Sequence, residues 1–478
     1  MARKSKKKSN GDTNGGGDEH QYLPEDFTVA SGSATLNSLD DFNQDANEDD
    51  LLDGSGGAGL INDMDDATES TRMQNLMDAT QELIDVSSER RASKRDQCFR
   101  RAFKAFTCFA SSEQGREYIH CNVNEITSSC LWGIRAGKAA EQYAACRCLE
   151  AVSILLGGNC DEYCESISPN LFRAIKVSGR DPQVRSAALR TVAMSNFICS
   201  TEEDATHEIM NLCEAACQVE WRDQPVPMLL RITALEAWAL LATTLDDSEM
   251  ANDGRGVQML SMLQTSLDHT SCSELRAAAG ECVALIHESR LNLKYDCENT
   301  NLNASERRYR RGSWDGSEYE VLMDELKQRV AELAVESGHR MSKKAKKQQK
   351  ATFREILATV VDDEAPSHVV SLSFRGGATA ATDLTFTSWR EIIQLNFVRH
   401  CLQGGFQVQL LMNPTLHMIF GADGDALRDC AAGAGLSQLE KRLFMSKTSD
   451  ASKAKDKFMT KRRASRNNQK NLFLTSDD

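Results

Sequence analysis

Four segments of this chain, YAACRCLEAVSILL, QVRSAALRTVAMSNFI, LLRITALEAWALLAT and ELRAAAGECVALIHE, superpose with Ala145, Arg185, Arg231 and Arg276 in register. The spacings are 40, 46 and 45 residues, and a fainter copy, FRRAFKAFTCFA, places Arg101 another 44 residues earlier. Within each copy apolar residues recur at three- and four-residue intervals, the period of a helix face. A helical unit of this length cannot bury its apolar face alone. Stacked copies bury it as one extended core, which is the logic of armadillo and HEAT repeats. Asp181 and Pro182 fit an N-cap and a first helical position, so the register arginines are expected near the start of the inner helix of each unit. The expected fold is mainly α: an armadillo/HEAT-like α-solenoid, then a small α(+β) C-terminal domain and a basic tail.

Charge divides the chain further. Residues 1–8 carry five Lys/Arg and no acid, residues 9–71 carry sixteen Asp/Glu and no base, and residues 439–470 carry eleven bases against three acids, within a formal net charge of −14. The expected organisation is a disordered acidic leader over 1–70, repeats over 75–300, a charged linker with the amphipathic helix VLMDELKQRVAELA over 301–338, a C-terminal domain over 339–421, and a linker and tail over 422–478. SLSFRG and LTFTSW are the expected strands. The sixteen cysteines sit among Leu, Ala and Ile, and the basic start lacks an apolar core. Reduced thiols in a cytosolic or nuclear protein are therefore expected. No apolar run is long enough to span a membrane, so no membrane partner is expected.

KKQQKATFREILATVV, TFTSWREIIQLNFVRHCLQGGFQVQLLMNPTLHMIFG and LSQLEKRLFMSKTSDASKAKDKF resemble the C-terminal region of the interferon-related developmental regulators. The residues carrying the pattern are Phe353, Arg354, Leu357, Trp389, Leu402, Gly405, Asn413, Leu416, Ile419, Phe420, Gly421, Glu440, Lys441, Arg442 and Leu443. The helical N-terminal part is similar to that family's armadillo-like domain in layout. SFRGGATAATDL, before Trp389, and GADGDALRDCAAGAG, after Phe420, depart from the pattern. The resemblance implies translational repression through ribosome binding, or transcriptional co-regulation, and no enzyme.

The basic tail is the clearest candidate site. As a helix it would place Lys453, Lys457 and Lys461 on one side and Lys455, Arg462, Arg463, Arg466 and Lys470 on the other. Charge on several sides, with Phe458 and Met459 as the only sizeable apolar groups, suits a segment that gains order inside RNA, with Lys441 and Arg442 at its base. The competing reading is a solvated targeting tail. Arg340, Lys343, Lys344, Lys346, Lys347 and Lys350 form a second basic patch, readable as a solvated helix face or as a further phosphate contact. KSKKK at 4–8 fits a nuclear-import signal and a ribosome-binding tail equally. Ser465, in RRAS, is a candidate phosphosite.

The i,i+4 pairs Cys160/Cys164 and Cys213/Cys217 lack a second half at zinc spacing, so no metal is expected. GIRAGKAA departs from the P-loop, and neither His207-Glu208 nor His287-Glu288 has a second His four residues on. No catalytic residue, cofactor or small-molecule substrate is expected. The expected partners are the ribosome and its RNA, or nuclear proteins held in the solenoid groove.

Overall fold

The computed structural model describes residues 69–251, 255–299, 318–335, 343–373 and 381–424. They are mainly helical. Helices α1 (Glu69–Ile84), α2 (Ala92–Cys108), α3 (Glu113–Cys121), α4 (Val123–Ala136) and α5 (Ala139–Leu156) are followed by α6 (Asp161–Lys176), α7 (Pro182–Cys199), α8 (Glu203–Cys217) and α9 (Met228–Ala242). Then come α10 (Asp247–Ala251), α11 (Arg255–Leu267) and α12 (Ser273–Asn299). Helices α2, α5, α7, α9 and α12 stack in that order as an inner layer, while α4, α6, α8 and α11 each pack on the inner helix that follows them. Each outer–inner hairpin is one repeat, and the solenoid-like, mainly α fold stands.

The register arginines are structurally equivalent. Arg185 Nε donates to the Ile175 carbonyl (2.9 Å) and Arg231 Nε to the Cys217 carbonyl (3.1 Å). Arg276 donates to the His269 and Thr270 carbonyls (3.3 and 3.4 Å). Each caps the end of the preceding outer helix, where carbonyls lack intrahelical partners and the helix dipole favours a cation. Ala145 holds this register in α5, and there Arg180, from the next turn, reaches the Ile134 carbonyl instead (2.9 Å). Arg101 is a weaker copy: its side chain is half exposed and pairs with Glu82.

The repeats continue beyond 300. Helices α13 (Glu318–Val335) and α14 (Lys343–Asp362) pair with each other, α13 against α11 and α14 against α12. The amphipathic helix of the charged linker and the first helix of the C-terminal region thus form another hairpin of the stack. Gly280 of α12 permits the contact, because a Cβ there would lie 2.8 Å from Ile356 and 3.2 Å from Phe353.

Two short hairpins interrupt the helices. Strands β1 (Glu220–Trp221) and β2 (Gln224–Pro225) pair antiparallel, a small sheet within repeats expected to be almost wholly helical. Arg222 and Asp223 both take positive φ (54° and 58°), the left-handed pair that a two-residue hairpin loop requires. Strands β3 (His368–Ser373) and β4 (Ala381–Phe386) pair from His368↔Phe386 to Ser373↔Ala381. Both begin three residues before the expected strands, and β4 ends at Phe386 because Ser388 caps a helix that takes in Trp389. That helix is α15 (Trp389–Leu402). A turn at Gln403–Gly405, α16 (Phe406–Met412) and α17 (Pro414–Ile419) complete the described chain. One apolar core runs from Leu76 to Phe420.

Candidate functional site

The inner face of the repeats is where an armadillo-type protein would hold a peptide. Here α15–α17 lie on it, running back from α12 and α9 past α5 to α2. Helix α15 starts at a Ser-x-x-Glu box: Ser388 Oγ accepts from the Glu391 amide (3.1 Å) and Glu391 accepts from the Thr387 amide (3.0 Å). Its free N-terminal amides are met by the repeats. The Glu288 carboxylate of α12 accepts from the Trp389 amide (2.8 Å) and the Arg390 amide (3.1 Å). Burial pushes the Glu288 carboxyl up, and these two amide bonds oppose that.

Further joints follow along the face. Arg390 donates to the Thr243 and Leu245 carbonyls (2.7 and 3.2 Å) past the end of α9 and pairs with Asp247 (2.6 Å). Trp389 is fully buried, and its indole N–H donates to Thr359 Oγ1 of α14 (2.9 Å). Arg147 of α5 donates to the His400 and Cys401 carbonyls (3.1 and 2.9 Å) at the end of α15. Gly405 sits where a Cβ would lie 2.6 Å from Thr107 Cβ, so only glycine lets the turn approach α2. Gln409 donates to the Phe106 and Thr107 carbonyls (3.2 and 3.0 Å), and Asn413 donates to the Ile154 carbonyl (3.1 Å) while capping Thr415. Arg116 donates to the Met412 carbonyl (3.1 Å). Of the motif residues of the sequence, Trp389, Gly405 and Asn413 are joints of this docking, Phe353 packs from α14 on Gly280 of α12, and Leu402, Leu416 and Phe420 are buried in the same core.

Beneath α15 lies a row of buried charge. Five residues after the register position, the inner helices carry Glu150, Arg190, Glu236 and Glu281. Arg147 pairs with Glu150, and Arg190 lies 3.4 Å from Glu236 and from Thr233 Oγ1. Burial pushes the carboxyls of Glu150, Glu236 and Glu281 up. Glu281 rises to about 8, since burial is reinforced by Glu236 and Glu355 and one carboxyl oxygen has no hydrogen-bond partner. The carboxylates were readable in the repeat alignment but pass there for solvated positions.

Among the described residues, Glu203, His207 and Glu249 bring potential metal ligands together on α8 and α10. His207 Nε2 lies 3.7 Å from Glu203 and Nδ1 3.5 Å from Glu249. The described cysteines are free thiols, mostly buried between helices. The tail residues Lys441, Arg442, Lys453, Lys455, Lys457, Lys461, Arg462, Arg463, Arg466 and Lys470, with Ser465 and Arg340, lie outside the described residues. Lys343, Lys344, Lys346 and Lys347 fall in the first turns of α14, and Lys350 is half-buried there beside Gln349, which accepts from Arg276 (2.7 Å).

The model of the interferon-related developmental regulator family matches residues 41–361, two thirds of the chain. The chain belongs to that family. The matched span covers the repeats and ends within α14. The family is therefore carried by the repeats as well as by Phe353, Arg354 and Leu357, and the span stops before Trp389. Interferon-related developmental regulator 1 of Mus musculus is 23% identical over 392 residues, 78% of this chain and 80% of its own length. The Homo sapiens protein of that name is also 23% identical, over 78% and 79%. Interferon-related developmental regulator 2 of Mus musculus is 24% identical over 68% and 70%. These are names of regulators and not of enzymes.

Proposed function

We propose that this chain is a non-enzymatic, ribosome-binding regulator that represses translation, acting in the cytoplasm and also reaching the nucleus. The basic tail between Lys441 and Lys470 enters an RNA-lined site, and the Lys-rich start of α14 adds a second phosphate-facing surface. One observation carries the preference. The inner face of the repeats is filled by residues 389–420 of the same chain, so a scaffold that holds partner peptides in that face has lost its surface. Recognition then falls to the charged segments of the sequence, among which the tail has the largest excess of positive charge. The absence of a motif for covalent or acid–base chemistry in the sequence agrees with a binding role.

The test is co-sedimentation with ribosomes through a sucrose gradient. Reversing Lys453, Lys457, Lys461, Arg462 and Arg463 to Glu is expected to remove the protein from the ribosomal fractions without altering its thermal stability. A Ser465→Glu variant is expected to weaken association in the same direction. Unchanged sedimentation of the reversed variant at about physiological salt overturns the proposal.

A further inference from the structure

A cationic cavity lies away from the inner face, at the edge where α6 ends and α7 begins. The β1–β2 hairpin folds over that edge and closes a space of about 70 Å³ lined by Lys176, Ser178, Arg185, Trp221, Arg222 and Gln224, among others. A space of that size admits a small oxyanion, and it is open to solvent on one side. None of its lining residues is acidic. Of the nearest acids in sequence, Asp181 accepts from the Gln183 amide (2.8 Å), and Glu220 and Asp223 are exposed and not among the lining residues.

Arg185 is the informative member. It is 3% exposed, and its Nε is committed to the Ile175 carbonyl. Its two Nη groups have no hydrogen-bond or ion-pair partner among the described residues. Arg231 likewise uses its Nε alone, on the Cys217 carbonyl, while the Nη atoms of Arg276 donate to His269, Thr270 and Gln349; the cavity beside it sets Arg185 apart. Burial without a carboxylate holds the Arg185 guanidinium below its usual value. The Nη groups stay open to the cavity, where they can donate to an oxyanion. The positive-φ turn carries Arg222 across the ring of Trp221, 5.5 Å from its centroid, and leaves the indole partly exposed at the mouth.

We propose that this cavity takes one backbone phosphate of single-stranded RNA, with the adjoining base stacked on Trp221. Base stacking on an aromatic next to a cationic phosphate site is the general pattern of single-strand binding. A phosphopeptide is less suited, since strands of two residues are too short to add a peptide strand beside the phosphate. The proposal rests on the RNA-binding reading given above and adds a contact separate from the tail.

The test uses the full chain and the full chain with the five tail reversals, each titrated with a short single-stranded oligouridylate across a salt series. Lys176→Gln with Arg222→Gln alters two side chains at the rim and is expected to leave the melting temperature unchanged. In both backgrounds it is expected to weaken binding about tenfold at low salt and to reduce the slope of log K against log salt by about one. Trp221→Ala is expected to weaken binding with the slope retained. Unchanged affinity and slope in the double-glutamine variant overturn the site. So does displacement from the cavity by a phosphoserine peptide but not by oligouridylate, which would make the partner a phosphoprotein. A tail reversal that leaves ribosome co-sedimentation intact defeats the tail's role alone, because the cavity is read from the double-glutamine variant.

Discussion

In the repeat made by α6 and α7, the outer helix buries Tyr163, Cys164, Ile167, Leu171, Ala174 and Ile175 along one stripe. The inner helix is buried continuously from Val184 to Asn196, including Arg185 and Arg190. Helix α5 is likewise continuous from Ala144 to Leu155. Stacking supplies neighbours on two sides of an inner helix and its outer partner supplies a third. The remaining side would face water in an open solenoid; here α15 and α16 pack on that side of the stack, against α12, α9, α5 and α2. The difference teaches that an inner helix buried on every side, its arginines and glutamates included, marks a covered face.

The comparison breaks most severely at Trp389. Trp389→Ala is expected to cost about 3–5 kcal/mol in denaturant unfolding, because it opens a cavity and leaves Thr359 without its donor. Arg173→Ala, on the exposed side of the outer helix α6, is expected to stay within about 0.5 kcal/mol of the parent. Equal losses at the two positions would erase the distinction between the layers.

Glu281→Gln sharpens it through pH. The folded-state carboxyl is raised to about 8, above its ordinary value of 4.5. The stability it permits is therefore full below about pH 4.5 and is lost as pH rises through about 8. The glutamine variant is expected to match the parent near pH 4.5 and to exceed it at pH 7 by on the order of 3 kcal/mol. Thermal melts across that range would show it, and a parallel shift at every pH would contradict it.

Smaller effects are expected at the caps. Glu288→Ala leaves the Trp389 and Arg390 amides unmet and is expected to cost about 1–3 kcal/mol, with faster hydrogen exchange at the start of α15. Arg231→Ala removes only the cap on the Cys217 carbonyl and is expected to cost about 1–2 kcal/mol, with faster exchange confined to the end of α8 and the start of α9.

Much of this was legible in the sequence, and the reason is periodicity. The spacing of Arg185, Arg231 and Arg276 set the repeat length, and their common capping role follows from their common place in the unit. The same alignment held Glu150, Glu236 and Glu281 five residues on, but periodicity cannot distinguish a solvated carboxylate from one covered by a distant segment. The segment after Ser388 carried the family motif in the sequence, but not its place on the repeats. Its docking site depended on contacts across 100 residues or more, such as Glu288 with Trp389. The hairpin of α13 and α14 was hidden by the charged residues around it, which made a repeat look like a linker. The β1–β2 turn was hidden because Arg222 and Asp223 are not the Asn-Gly pair that usually marks such a loop.

The central claim is that residues 389–420 of the chain occupy its own inner face. A photo-crosslinking amino acid at Gln394, whose side chain donates to Thr243 Oγ1 at 2.9 Å, tests it most directly. The expected product is an intramolecular crosslink that maps to the peptide containing Thr243 at the end of α9. Crosslinks to a second copy, to other proteins, or to no part of α9 would contradict the account.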